Sequence, residues 1–275
     1  MKKKSFAIWL SVFWVFLSLM AIAGVTYAWF TFNPATNVEP MSSTISDGEI
    51  ALLIALTEDG DFSTQCALPQ SSSGDLEPIS TADLEHFYHA DVQNRQGVSL
   101  TFLDARDRVD ADTIHGTLYL KSLKDNCDVY FNRNALEFGQ DPQMLAALRL
   151  GLKITTAAGT QLYIFSLEDV GNVSSAVGMQ TTEQSKVVVA GVEANGTPDY
   201  VADPCRGMSD YFAVMDADKL PRAGRAALCT IQANEIATVE YWLYLEGCDE
   251  NCINEVQERD AVLKLSFAGV TGKTN

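Results

Sequence analysis

Residues 114–122 read IHGTLYLKS, and from Thr117 to Lys121 polar and apolar side chains alternate. A period of two places successive side chains on opposite faces of an extended chain, one toward a core and one toward water. Val262 to Phe267, in AVLKLSFAGV (261–270), repeats the pattern. Short β-rich runs recur outward from these two: EIALLIAL (49–56), VSLTFLD (98–104), CDVYFNRNALEF (127–138), LRLGLKITT (148–156), QLYIFSL (161–167), KVVVAGV (186–192) and TVEYWLYLEG (238–247). Many short strands separated by turn-rich loops predict an all-β fold, an antiparallel sandwich of jelly-roll type. Helix is a minor component. DPQMLAAL (141–148) offers Asp141 as a cap and Pro142 at the first helical position, and TADLEHFYHADV (81–92) is a second candidate. QCALPQSSSGDLEPIS (65–80), QTTEQS (180–185) and ANGTPDYVADPCRGMSD (194–210) read as long loop insertions on one β-sandwich domain, 48–275, with a division near 170–185 left open.

The amino-terminal end differs from the rest. Lys2, Lys3 and Lys4 precede an uncharged apolar run from Phe6 to Val25. That run is long enough to cross a bilayer, which takes about 20 residues. Length therefore does not separate a retained anchor from a cleavable signal. Thr26 and Ala28 set small side chains two residues apart, the pattern a signal peptidase accepts, and the next charge is Glu39. Cleavage between Ala28 and Trp29 is the expectation, leaving an extended segment at 29–47. Before cleavage, membrane contact is expected through residues 6–25 alone.

The stretch T-Y-A-W-F at Thr26–Phe30, behind a lysine-led apolar run, resembles the signal peptides handled by the SipW-type signal peptidase of Gram-positive bacteria. A polar spacer, NPATNVEPMSSTIS (33–46), and a first strand, DGEIALLIAL (47–56), follow as in that group. The resemblance covers residues 1 to about 57 and extends to the TasA and camelysin proteins of cell surfaces and biofilm matrices. It implies a secreted or cell-surface protein of a Gram-positive bacterium, with that signal peptidase as a partner during export. It also implies self-assembly, with the chain itself as partner, by donor-strand addition. The residues carrying that role are Trp29, Phe30, Phe32 and Val38, freed once Ala28 is cut. A sheet edge presents unpaired N–H and C=O groups to such a segment. The same residues could instead fold back on their own domain or fray.

Composition fits export. The net charge is −17, and removing the three signal lysines leaves −20 on residues 29–275. That excess argues against nucleic acid, whose phosphates require Lys and Arg, and against anionic lipid. Six cysteines (Cys66, Cys127, Cys205, Cys229, Cys248 and Cys252) could all pair in an oxidising compartment, in any of 15 connectivities. The C-x-x-x-C spacing in GCDENC sets Cys248 and Cys252 at the tip of a loop after a strand, and a disulfide between them is expected. Zinc is the rival, but it needs about four ligands, and no second C-x-x-C or nearby histidine supplies them.

No catalytic residue, cofactor or metal ligand is assigned from the sequence. HFYH supplies His86 and His89, with Asp91 close by, but at i,i+3 rather than the i,i+4 of H-E-x-x-H. Phe87 and Tyr88 between them cannot act as a base; His115 lies in a predicted strand. There is no G-x-S-x-G elbow, phosphate loop or G-x-G-x-x-G. The acidic groups Glu58/Asp59/Asp61, Asp216/Asp218 and Asp249/Glu250/Glu255 match no calcium loop and read as solvated turns. The sequons at Asn172 and Asn195 mark surface loops. No LPxTG-like sorting signal is read, so wall retention would need assembly, an uncleaved helix or another protein. The expected function is a non-enzymatic, self-assembling surface or matrix protein. The alternative is a carbohydrate- or host-surface-binding module using loop aromatics such as Tyr200 and Tyr211, and a metallopeptidase built on His86 and His89 is a third class.

Overall fold

A computed structural model describes residues 37–38, 52–68, 76–92, 100–123, 125–133, 136–138, 142–167, 187–215, 220–249, 251–252 and 263–271. All belong to one compact unit, Ala35–Asn275. Along the chain run β1 (Asn37–Val38), β2 (Leu52–Ala55), β3 (Cys66–Ala67), β4 (Ile79–Ser80), β5 (Tyr88–Val92) and β6 (Leu100–Asp104). Next come α1 (Val109–Asp112), β7 (Ile114–Ser122), β8 (Cys127–Phe131), α2 (Pro142–Ala147), β9 (Leu148–Thr156) and β10 (Gly159–Ser166). The rest are β11 (Val187–Val192), β12 (Pro198–Ala202), β13 (Arg206–Gly207), β14 (Val214–Met215), β15 (Pro221–Arg222), β16 (Cys229–Ile231), β17 (Ile236–Leu245), β18 (Lys264–Leu265) and β19 (Phe267–Thr271).

The fold is an all-β sandwich. Its main sheet has the order β13-β10-β9-β17-β7-β2, antiparallel throughout except at β13. Alternation selects the inner face: Leu118 and Leu120, Leu150 and Leu152, Tyr163 and Phe165, and Val239, Tyr241 and Leu243 point into one core. A smaller sheet, β16-β8-β19, closes that core with Val129, Phe131, Ile231 and Phe267. The chain passes between these sheets from β7 to β8, β8 to β9, β16 to β17, and β17 to β19. Ser266 ends β18 so that β19 can join the smaller sheet. Its carbonyl accepts Asn132 N–H at 2.9 Å and its hydroxyl accepts Asn132 Nδ2 at 3.2 Å.

The outer face of the main sheet is covered as well. The sheet β4-β5-β6 and the turns around it bring Ile79, Leu84, Phe87 and Ala105 against Ile164 and Tyr244, with Trp242 alongside. Phe87 meets the Trp242 and Tyr244 rings, each at 6.3 Å between centroids. A sheet buried on both faces excludes water from positions that alternation alone assigns to solvent.

The helix expected over 81–92 is not formed. Thr81 Oγ1 accepts Leu84 N–H (3.0 Å), and Asp83 Oδ1 accepts Glu85 N–H (2.9 Å) and His86 N–H (2.8 Å). These bonds use helix-capping chemistry to make a turn. Leu84 then takes φ 58°, where a leucine costs about 1–2 kcal/mol, and its side chain packs over Gly151, the one point on β9 without a Cβ. A Cβ there would lie 2.5 Å from Leu84 Cδ2. Gly151→Ala should therefore cost roughly 1–3 kcal/mol by overpacking, read as a lower urea midpoint at unchanged slope. In a Leu84→Ala background the added cost should vanish.

Two of the expected loops contain strands. Within 194–210 lie β12, paired with β11, and β13, paired with β10; within 65–80 lie β3 and β4. The third, 180–185, lies outside the described residues. The expected helix over 141–148 appears as α2; its cap, Asp141, also lies outside them.

Candidate functional site

β1 is the middle strand of a three-stranded sheet, β18-β1-β3. Asn37 and Val38 run parallel to Lys264 and Leu265 and antiparallel to Ala67 and Cys66. The far edge of β18 is also satisfied: Lys264 N–H donates to Glu137 O (2.8 Å) and Glu137 N–H to Lys264 O (3.1 Å). Leu263 and Leu265 are buried in the core beneath. The sandwich thus presents a slot between β3 and β18, and residues 37–38 fill it. Burial pushes the Cys66 thiol in this slot up to about 11.

A second constellation lies at the carboxyl end of β17. Arg149 on β9 stands opposite Tyr244 of β17 and Ser166 of β10 in register. Its side chain enters the layer under β4-β5-β6 and is 1% exposed. One guanidinium nitrogen donates to Ala146 O (2.8 Å) and Leu148 O (3.1 Å), and the other pairs with Asp249 (2.5 Å) and Asp203 (3.8 Å). Burial opposes its charge, but Cys205, Asp249 and Asp203 around it hold the guanidinium above its ordinary value. Glu246, 1% exposed, accepts Cys248 N–H on Oε1 at 3.1 Å. Burial lifts its carboxyl to about 8, against the Ser80 hydroxyl and the Cys248 amide, which favour the charged form. Burial also raises Asp203, and it carries the Cys205, Cys248 and Cys252 thiols up to about 12. At neutral pH the site holds neutral thiols, which are poor nucleophiles. Arg149 Nε, Asp203 Oδ2, Tyr244 OH and Glu246 Oε2 are buried without a hydrogen-bond partner.

The structure brings Cys248 and Cys252 together beside Glu246, as free thiols, so the expected bridge is not formed here. Of the amino-terminal residues, Val38 lies in β1, while Ala28, Trp29, Phe30 and Phe32 lie outside the described residues, as does the run 6–25. Among the described residues no helix is long and apolar enough to cross a membrane.

His86 and His89 share no helix. The His86 ring bonds Asp83 (2.8 Å) in the exposed turn, and His89, like Asp91, lies in β5. His115, on β7, meets Asp110 at 3.2 Å. Glu58, Asp59 and Asp61 are exposed around a turn closed by Gly60 N–H to Thr57 O (3.0 Å). Asp249 is not a solvated turn residue but Arg149's buried partner; Asp216, Asp218, Glu250, Glu255 and Asn172 lie outside the described residues. Among the described residues no three His, Cys, Asp or Glu side chains form a group able to hold a metal. Asn195 sits in the exposed β11–β12 turn. Tyr200 is 45% exposed. Tyr211, expected as a free loop aromatic, instead packs on Tyr163 (5.4 Å) and Phe165 (5.1 Å) and accepts a hydrogen bond from Arg206 (3.2 Å). No protein-family model, curated protein or solved structure matches this chain.

Sequence reasoning missed Arg149, Asp203, Tyr244 and Glu246. The available signal was TVEYWLYLEG, in which both Tyr241/Leu243/Leu245 and Trp242/Tyr244 are apolar, as a strand buried on both faces requires.

Proposed function

We propose that the chain is an exported, non-enzymatic surface or matrix protein that assembles with copies of itself through its amino-terminal strand. The observation that carries this reading is β1. Residues 37–38, separated by four residues from the aromatic segment 29–32, form a two-residue strand with partners on both sides, so the same pairing could be supplied by a neighbouring copy. The resemblance of residues 1–57 to the TasA/camelysin export group, the six cysteines and the −20 charge of residues 29–275 are consistent with it.

Register supplies the test. Val38 and Cys66 are direct antiparallel partners, and such pairs have Cα atoms about 4.5–5.5 Å apart, within the range a disulfide spans. Val38→Cys, expressed with its signal in a Gram-positive host and treated with oxidised glutathione, should bridge to Cys66. A ladder of covalent oligomers on a non-reducing gel, absent in Val38→Cys/Cys66→Ser, is the expected result. A bridged monomer alone would mean that β1 stays with its own domain. Mass spectrometry of the same product should find Trp29 as its first residue.

One feature favours the second reading, a carbohydrate- or host-surface-binding module. Tyr200 stands edge-on to Phe102 at 6.1 Å, with Val201 and Leu103 also exposed. If that reading holds, Tyr200→Ala should abolish retention on insoluble cell-wall polysaccharide while leaving the oligomer ladder intact.

A further inference from the structure

The turn after β17 is tied down at several points, among them the Cys248 thiol, which donates to the Ser80 hydroxyl of β4 at 3.7 Å. Gly247 N–H donates to Ile79 O at 2.9 Å, Cys248 N–H donates to Glu246 Oε1 at 3.1 Å, and Asp249 pairs with Arg149. Two of these ties converge on the end of β17, where Glu246 also bridges to Ile79 of β4. Cys248, one of the tied residues, and Cys252 beyond them are both partly exposed.

We propose that Glu246 is a proton-operated latch: as the neutral acid it bolts the Gly247–Cys252 turn to β4, and on losing its proton it releases that turn and uncovers Cys248 and Cys252. The geometry requires a neutral acid. Oε1 accepts the Cys248 amide, whereas Oε2 is buried without a partner. As a protonated O–H, Oε2 is a small dipole; as half of a carboxylate, it would be a buried charge without a donor, which is far more costly.

The surrounding groups compensate only in part: the Ser80 hydroxyl, the Cys248 amide and Arg149 favour the charged form, and burial outweighs them. From β9 comes Arg149, from the β12–β13 connection Asp203 and Cys205, from β17 Tyr244, and from the turn itself Cys248, Asp249 and Cys252. From β4 comes Ser80, whose hydroxyl bonds the carboxyl. Arg149 is the one cation among these described neighbours, and it already pairs with Asp249 and Asp203. An ionised Glu246 would be a third carboxylate on one guanidinium.

Burial lifts Glu246 from an ordinary 4.5 to about 8. The folded chain therefore holds a proton that the unfolded chain has released. The latch contributes fully below about 4.5, and its contribution is lost as the pH rises through about 8.

The test is amide hydrogen exchange of the full chain, read by mass spectrometry on the peptide 244–252 between pH 6.5 and 9.5 and corrected for intrinsic base catalysis. Protection in the wild type should fall about tenfold per pH unit up to about 8 and level off above it, as one-proton linkage requires. Glu246→Gln, which cannot ionise, should give flat protection. Ser80→Ala removes a bond that favours the charged form and should move the levelling-off point to higher pH. Flat protection in the wild type, or the same fall in Glu246→Gln, would overturn the proposal. Should Glu246→Gln fail to fold, the Ser80→Ala levelling-off point decides alone, and an unmoved point would overturn the proposal.

Discussion

Replacing Arg149 by Met is expected to destabilise the protein by about 3–5 kcal/mol, the range for breaking a buried ion pair from one side. Methionine fills a similar space, so the loss is electrostatic rather than a cavity. It leaves Asp249 and Asp203 buried without their cation and removes one donor each from the Ala146 and Leu148 carbonyls. For a domain of this size, roughly 2–4 °C per kcal/mol turns that into a melting point lower by about 6–20 °C. Adding Asp249→Asn removes one stranded charge and should recover part of the loss. A double mutant no more stable than Arg149→Met would mean that the pair itself is not the source. Calorimetry of the three proteins measures both effects.

Phe131→Ala should cost a similar amount, about 3–5 kcal/mol, by a different route. Phe131 is fully buried on β8 and touches three rings: Phe165 at 5.4 Å, Phe267 at 5.8 Å and Phe212 at 6.5 Å. Those rings come from the main sheet, from β19 beside it in its own sheet and from the segment beyond the short turn Ser209–Tyr211, so one deletion loosens contacts both within its sheet and across the sandwich. The cavity cost depends on how far the site collapses, and flat rings held by separate strands collapse poorly. Phe131→Leu should cost much less. Equal midpoints in denaturant for Phe131→Ala and the wild type would show that the two sheets do not rely on this ring.

The fold was legible where one side of a strand differed chemically from the other. Leu118/Leu120 against Tyr119/Lys121 placed β7 within its observed bounds, and LRLGLKITT did the same for β9. Legibility failed where local chemistry imitates another state. Thr81 and Asp83 accept backbone N–H groups of a turn as helix caps do, and nothing local says that Leu84 must bend away to sit on Gly151, a residue far along the chain. β12 was lost because most of PDYVA is exposed and shows no alternation, its pairing with β11 being the whole reason it is extended.

The buried charge site was illegible for a related reason. Arg149 and Glu246 stand at positions that a half-exposed sheet would turn to water, and the layer that covers them comes from residues 79–105, of which only VSLTFLD (98–104) reads as a strand. Cys248 and Cys252 were legible as neighbours because spacing is a property of the chain. That their shared turn carries the carboxylate for Arg149 is a property of the fold.

The position of β17 also sets the order in which the molecule can be completed. It lies between β7 and β9, yet is made long after both, so two long edges stay open until nearly the whole chain is present. Sheets closed by distant segments form slowly and expose sticky edges meanwhile. A chain threaded outward from its amino terminus would cross a membrane before its last central strand arrives, and would therefore meet a translocation channel without a finished domain to unfold.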